Sequence, residues 1–124
     1  MRIFKNKPFA RFARKADLDD AALCKAIAGA ERGLIDADLG GGVIKQRIAR
    51  PGRGKSGGFR AVILFKAGGR AVFVYGFAKD ERDNIGDDEL VAFRKLAGEL
   101  LAYDDNAIGK AVAAGVLTEV MRDE

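Results

Sequence analysis

Phe59-Arg60-Ala61-Val62-Ile63-Leu64-Phe65-Lys66 and Ala71-Val72-Phe73-Val74-Tyr75-Gly76-Phe77-Ala78 are two near-continuous apolar runs, with Gly68-Gly69 between them. Runs of this length and composition predict central strands covered on at least part of both faces. The glycine pair suits a tight hairpin. Pairing through that turn sets residues whose numbers sum to about 137 opposite one another, so Arg60 falls near Phe77, with Tyr75 and Lys79 diagonal to it. Arg60 is the lone charge among Phe59–Phe65. It starts the strand and is expected to project from a rim without being buried.

Upstream, Pro51 to Gly58 (PGRGKSGG) is loop by composition. Val43–Arg50 alternates, with Ile44, Gln46, Ile48 and Arg50 on one face and Val43, Lys45, Arg47 and Ala49 on the other. That predicts a half-exposed strand presenting Lys45 and Arg47 to solvent. Ahead of Gly40-Gly41-Gly42, two helical stripes lie within residues 7–33. Phe9, Phe12, Ala13 and Ala16 form the first; Leu23, Ala26, Ile27 and Ala30 form the second, with N-cap chemistry at Asp17–Asp20 and a stop at Gly33. Arg2–Lys5 is at most a short edge strand.

Downstream, Leu90, Phe93, Leu96, Ala97, Leu100 and Leu101 make a strong helical stripe behind the capping cluster Asp87-Asp88. A last amphipathic piece runs from Ala107 to Val120, weakened as a single helix by Gly109 and Gly115. The order helix–helix–strand–strand–strand–helix predicts an α+β fold: a small antiparallel sheet with an N-terminal helical hairpin and a C-terminal helix. No linker or repeat interrupts the 124 residues, so a single domain over 1–124 is expected.

The chain contains no histidine, which removes the commonest general base, the histidine triads and the usual zinc sites. Neither a metal nor a cofactor is expected. Asp80, Glu81 and Asp83 are adjacent and basic residues surround them, so they do not converge on an ion as a metal nuclease requires. Gly54-Lys55-Ser56 resembles part of a phosphate loop, but Ala49 stands where the first glycine belongs, and a β run follows in place of a helix. Cys24, the single cysteine, excludes an internal disulfide and reads as a small buried hydrophobe. No apolar stretch approaches the roughly 20 residues of a membrane helix, and MRIFKNKPFARFARKA lacks a signal-peptide core. A cytoplasmic protein without membrane contact is expected.

Charge is unevenly distributed. Residues 45–82 hold ten Lys and Arg against two acids, whereas residues 83–124 hold four basic and ten acidic side chains. A basic middle beside an acidic flank suggests a polyanion-binding face; the plainer alternative is a solvated rim. The strand ends gather Arg53, Lys55, Ser56 and Arg60 on one side and Tyr75, Lys79 and Arg82 on the other.

The runs GRGKSGGFRAVILFK and AVFVYGFAKDERDNI, with KNKPFARFARKA, GLIDADLGGGVIKQRIARPGRGKSGG and the closing GVLTEV, resemble the RelE/HigB superfamily of type II toxins, and its HigB-like branch in particular. The likeness covers nearly the whole chain. It implies a microbial-ribonuclease-like fold, a ribosome-dependent mRNA interferase activity and a cognate antitoxin partner. The family's strand-start arginine matches Arg60 in Gly58-Phe59-Arg60, its basic loop residues match Arg53 and Lys55, and its Lys-x-Glu-Arg stretch matches Lys79-Asp80-Glu81-Arg82. Two positions depart from it: Asp80 stands at a further arginine and Gly86 at a tyrosine. The general base is left open between Tyr75, a lysine and help from the ribosome.

Cleavage of RNA without metal or histidine can use the substrate's own 2′-hydroxyl against the adjacent phosphorus. Arginine and lysine donors then stabilise the charge that builds on the phosphate. On this reading Arg60 holds the scissile phosphate and Lys55 or Lys79 stabilises charge or acts as base. Arg82 supports the leaving side or the phosphate, and Tyr75 stacks on a base or serves in acid–base chemistry. Lys45, Arg47, Arg53 and Ser56 contact ribosomal or messenger RNA. Two other classes compete: a ParE-like toxin that traps DNA gyrase, and a non-catalytic or decayed toxin acting only through its antitoxin complex in transcriptional autoregulation.

Overall fold

The computed structural model describes residues 1–50 and 54–121, with side chains over 1–49 and 58–121. β1 (Arg2–Asn6) leads into α1 (Lys7–Ala16) and α2 (Asp20–Glu31). The strands β2 (Ala37–Gly40), β3 (Val43–Arg50), β4 (Gly54–Lys66) and β5 (Arg70–Ala78) follow. α3 (Asp87–Leu100), α4 (Asp105–Ala113) and β6 (Leu117–Glu119) complete the chain.

The six strands form one sheet in the order β2-β3-β4-β5-β1-β6. The expected antiparallel sheet is therefore corrected to a mixed one, because β1 runs parallel to β5. β1 is also no edge strand: β6 pairs with its other side. Ile3 and Phe4 are both buried, and they enter opposite cores.

The hairpin of β4 and β5 follows the expected pairing around the site, with Arg60 opposite Phe77 and Val62 opposite Tyr75. Nearer the turn the register shifts by one, because Val74 bulges between Tyr75 and Phe73. The bulge turns Val74 and Tyr75 toward the same core, and Asn6 Nδ2 donates to the Val74 carbonyl oxygen at 3.1 Å. β4 begins at Gly54, earlier than the loop composition suggests. Gly41 and Gly42, at φ 63° and 83°, link β2 to β3. Both turn positions at positive φ are what a primed two-residue hairpin needs.

Each sheet face carries its own helices, which is why Ala61–Phe65 of β4 and Ala71–Val74 of β5 are unbroken apolar runs. On one face Phe9, Leu23 and Ile27 of α1 and α2 pack against Ile44, Ile63 and Phe73. In place of the expected N-terminal helical hairpin, the two helices are laid on the sheet, α1 mainly over β5 and α2 over β3. Phe12 sits so close over Gly76 that an added Cβ would stand 2.3 Å from its ring. Gln46, buried among the apolar residues of β3, is fully bonded. Its Nε2 donates to the Ala26 and Leu34 carbonyls, and its Oε1 accepts the Asp36 N–H.

On the other face Ala97, Leu100 and Ile108 of α3 and α4 cover Phe4, Val62, Leu64 and Val72. Asn6, Asp19 and Asp104 cap α1, α2 and α4 by accepting backbone N–H groups. Arg70 donates to the Leu100 and Tyr103 carbonyl oxygens at the end of α3, a favourable place for a cation. The expected amphipathic piece after Ala107 divides into α4 and β6, with Gly115 at φ 75° between them. Among the described residues no helix is long and apolar enough to cross a membrane.

Candidate functional site

The face that α3 and α4 cover at one end stays polar at the other. Lys45 and Arg47 of β3, Arg60 of β4 and Tyr75 and Phe77 of β5 share that face, as the register and the alternation of core residues show. Arg60 differs from expectation: it is 8% exposed. Because β4 starts six residues before it, Arg60 stands well inside the strand, between Arg47 on one neighbour and Phe77 on the other.

Two arginines directly opposite each other repel. Arg47 is compensated by Asp36, whose Oδ1 accepts from its Nε at 3.1 Å and whose Oδ2 accepts its backbone N–H. Arg60 has no carboxylate partner among the described residues. Its single bond there runs from Nη1 to the Phe59 carbonyl oxygen at 3.4 Å. A largely buried arginine in this setting calls for an anion, and its remaining donors have no acceptor among the described residues.

Tyr75 is held on several sides. Its ring centroid lies 5.9 Å from that of Phe77 and 6.1 Å from that of Phe93 on α3. The guanidinium carbon of Arg82 stands 5.5 Å from the ring centroid. Arg82 Nη1 donates to the Tyr75 hydroxyl oxygen at 2.8 Å, and its Nε donates to the Asn84 carbonyl oxygen at 2.6 Å. Glu89, in the first turn of α3, accepts from both Nη1 and Nη2 of Arg82. It also accepts the Gly86 N–H at the helix start.

The Arg82 hydrogen bonds, and then the Gly86 N–H, hold the Glu89 carboxyl below the usual carboxylate range. The bonds to Glu89 and Tyr75 raise the Arg82 guanidinium above its own. Glu89 is therefore a charged partner for Arg82 at neutral pH, and acid that protonates it removes that charge. Asn84 joins β3 to this cluster, its Oδ1 accepting from Lys45 Nζ at 3.1 Å.

Arg60, Tyr75, Arg82, Lys45 and Arg47 are thus brought to one region of the sheet. Lys79 follows β5 directly, exposed in a turn, with no hydrogen-bond or ion-pair partner among the described residues. Arg53 and the side chains of Lys55 and Ser56 lie outside the described residues. A cleft of about 650 Å³ between α2 and the outer part of β3 is lined by Ala26, Gln46 and Ile48; it meets the site residues at Arg47 and includes none of Arg60, Tyr75 and Arg82.

Sequence reasoning missed Glu89 and Asn84. Glu89 left a signal, since a glutamate three residues past the helix start commonly folds back on it. Asn84 left none: its role depends on Lys45, which the fold brings from a distant strand.

Fold and face together define an α+β protein with a cationic, phenol-bearing patch on an otherwise covered sheet. The family model of the RelE toxin of the RelE/RelB toxin–antitoxin system matches residues 1–120, and the chain belongs to that family. The search of curated proteins finds no match. As a toxin of such a pair, the protein has an antitoxin as its partner.

Proposed function

We propose that this toxin is a ribosome-dependent mRNA endonuclease. The observation that carries the reading is Arg60: a largely buried guanidinium, opposite a second arginine and without a carboxylate partner among the described residues, beside a fixed tyrosine. A phosphodiester supplies the missing negative charge.

In the proposed reaction the ribose 2′-oxygen attacks the adjacent phosphorus as the bond to the 5′-oxygen breaks. The 2′-hydroxyl loses its proton and the departing oxygen gains one. Arg60 binds the non-bridging oxygens, where charge accumulates. Lys79 and Lys55 raise the local positive potential, and one of them or Tyr75 supplies the base. Lys45 and Arg47 contact RNA backbone. Gly86 leaves the site without the family's usual tyrosine, and Tyr75 supplies the phenol.

Cleavage is expected to persist unchanged in excess chelator and to leave a 2′,3′-cyclic phosphate and a 5′-hydroxyl. End-group analysis of RNA cut on programmed ribosomes reads both. Loss of cleavage in chelator, or a 5′-phosphate product, contradicts the mechanism.

A further inference from the structure

Arg82 is less available to RNA than its charge suggests. Of the five N–H groups of a guanidinium, four are engaged within the protein: Nε on Asn84, Nη1 on Tyr75 and Glu89, and Nη2 on Glu89. Its positive charge is matched by the Glu89 carboxylate. The contrast with Arg60, which makes a single long bond to a carbonyl among the described residues, is sharp.

The Tyr75 hydroxyl stands at the end of this chain. Its oxygen accepts from Arg82, and its own hydrogen has no acceptor among the described residues. On the strand pair, Tyr75 is diagonal to Arg60, a spacing of roughly 7–8 Å between backbones that long side chains bridge.

We infer that Glu89 is a positioning residue for the endonuclease. It fixes Arg82 so that Arg82 fixes the Tyr75 oxygen, leaving the phenol hydrogen to bond a phosphate oxygen of the RNA held by Arg60. The inference rests on the endonuclease reading. Tyr75 and Arg60 touch the substrate, while Glu89 and Arg82 act through Tyr75. The placement of Glu89 in the first turn of α3 makes a rigid anchor, since its Gly86 bond ties the side chain to the helix start.

The test is a mutant cycle read by single-turnover mRNA cleavage on programmed ribosomes, across a range of toxin concentrations. Glu89→Gln keeps an acceptor for the Gly86 N–H and removes the charge that holds Arg82. It is expected to slow the saturated rate by roughly tenfold or more, with the half-saturating concentration unchanged. Glu89→Asp retains the carboxylate and is expected to recover part of that loss. Tyr75→Phe is expected to be slow as well, and adding Glu89→Gln to it should cost nothing further, because both changes remove the same phenol bond.

Thermal melts of all variants check that each is folded. Multiplying effects in the double variant, a Glu89→Gln rate equal to that of the wild type, or an effect confined to the half-saturating concentration overturns the inference while leaving the endonuclease reading intact. A wild-type protein that cuts no RNA on ribosomes overturns both.

Discussion

Arg60→Ala is expected to lower the rate of ribosome-dependent mRNA cleavage by roughly 10²–10³-fold, the usual loss when one preorganised donor to a developing anion is removed. Expression of this variant should no longer arrest growth. The protein should still fold, because the substitution removes a buried cation that no carboxylate compensates among the described residues and that faces Arg47 across the strands. Antitoxin binding should survive for the same reason. Arg60→Lys is expected to recover little, since an ammonium lacks the planar fork that grips two phosphate oxygens. Growth inhibition of wild-type strength in Arg60→Ala removes this residue from the site.

The largest effect on stability is expected from Phe9→Ala. Phe9 is fully buried. Its ring centroid lies 4.9 Å from that of Phe73 and 5.7 Å from that of Phe12, so it joins α1 to the sheet and to its neighbour. Truncation removes the transfer free energy of the ring and opens a cavity, a loss of about 3–5 kcal/mol. Against a typical total of about 5–15 kcal/mol, that lowers the melting midpoint by roughly 10–20 °C. Calorimetry or a dichroism melt measures it. A shift of only a degree or two shows that α1 is not held by this contact.

The legible part of the fold is the part with local repetition. The two apolar runs and the glycine pair marked β4 and β5, but Arg60 meets Phe77 only because the Val74 bulge offsets the register set at the turn, where Lys66 pairs with Arg70. The helical stripes of α1, α2 and α3 were equally plain. β1 was not, because Ile3 and Phe4 face different cores and its partner strand lies some seventy residues away in the chain. A parallel pair of that separation leaves no local period to read. β2 and β6 are too short to show one.

The site was legible in residue type and only partly in environment. Arg60, Tyr75, Lys45 and Arg47 are on one face, as strand alternation implies. The burial of Arg60 depends on β4 starting at Gly54, which a glycine-rich stretch concealed. The bulge at Val74 was equally hidden, although it brings Tyr75 onto the face of Val74. The partition of charge also needed the structure. Arg70 secures the end of α3, Arg47 is answered by Asp36 and Arg82 by Glu89. The raw count of ten cations therefore overstates the uncompensated charge, and Arg60 gains importance by contrast.

Mapping mRNA 5′ ends across the cell shortly after induction tests the central claim most directly, with Arg60→Ala induced in parallel. New ends inside translated regions, absent from untranslated RNA and from the Arg60→Ala cells, are the predicted result. Intact messages with continuing protein synthesis and arrested DNA replication contradict it and point to a gyrase-directed toxin.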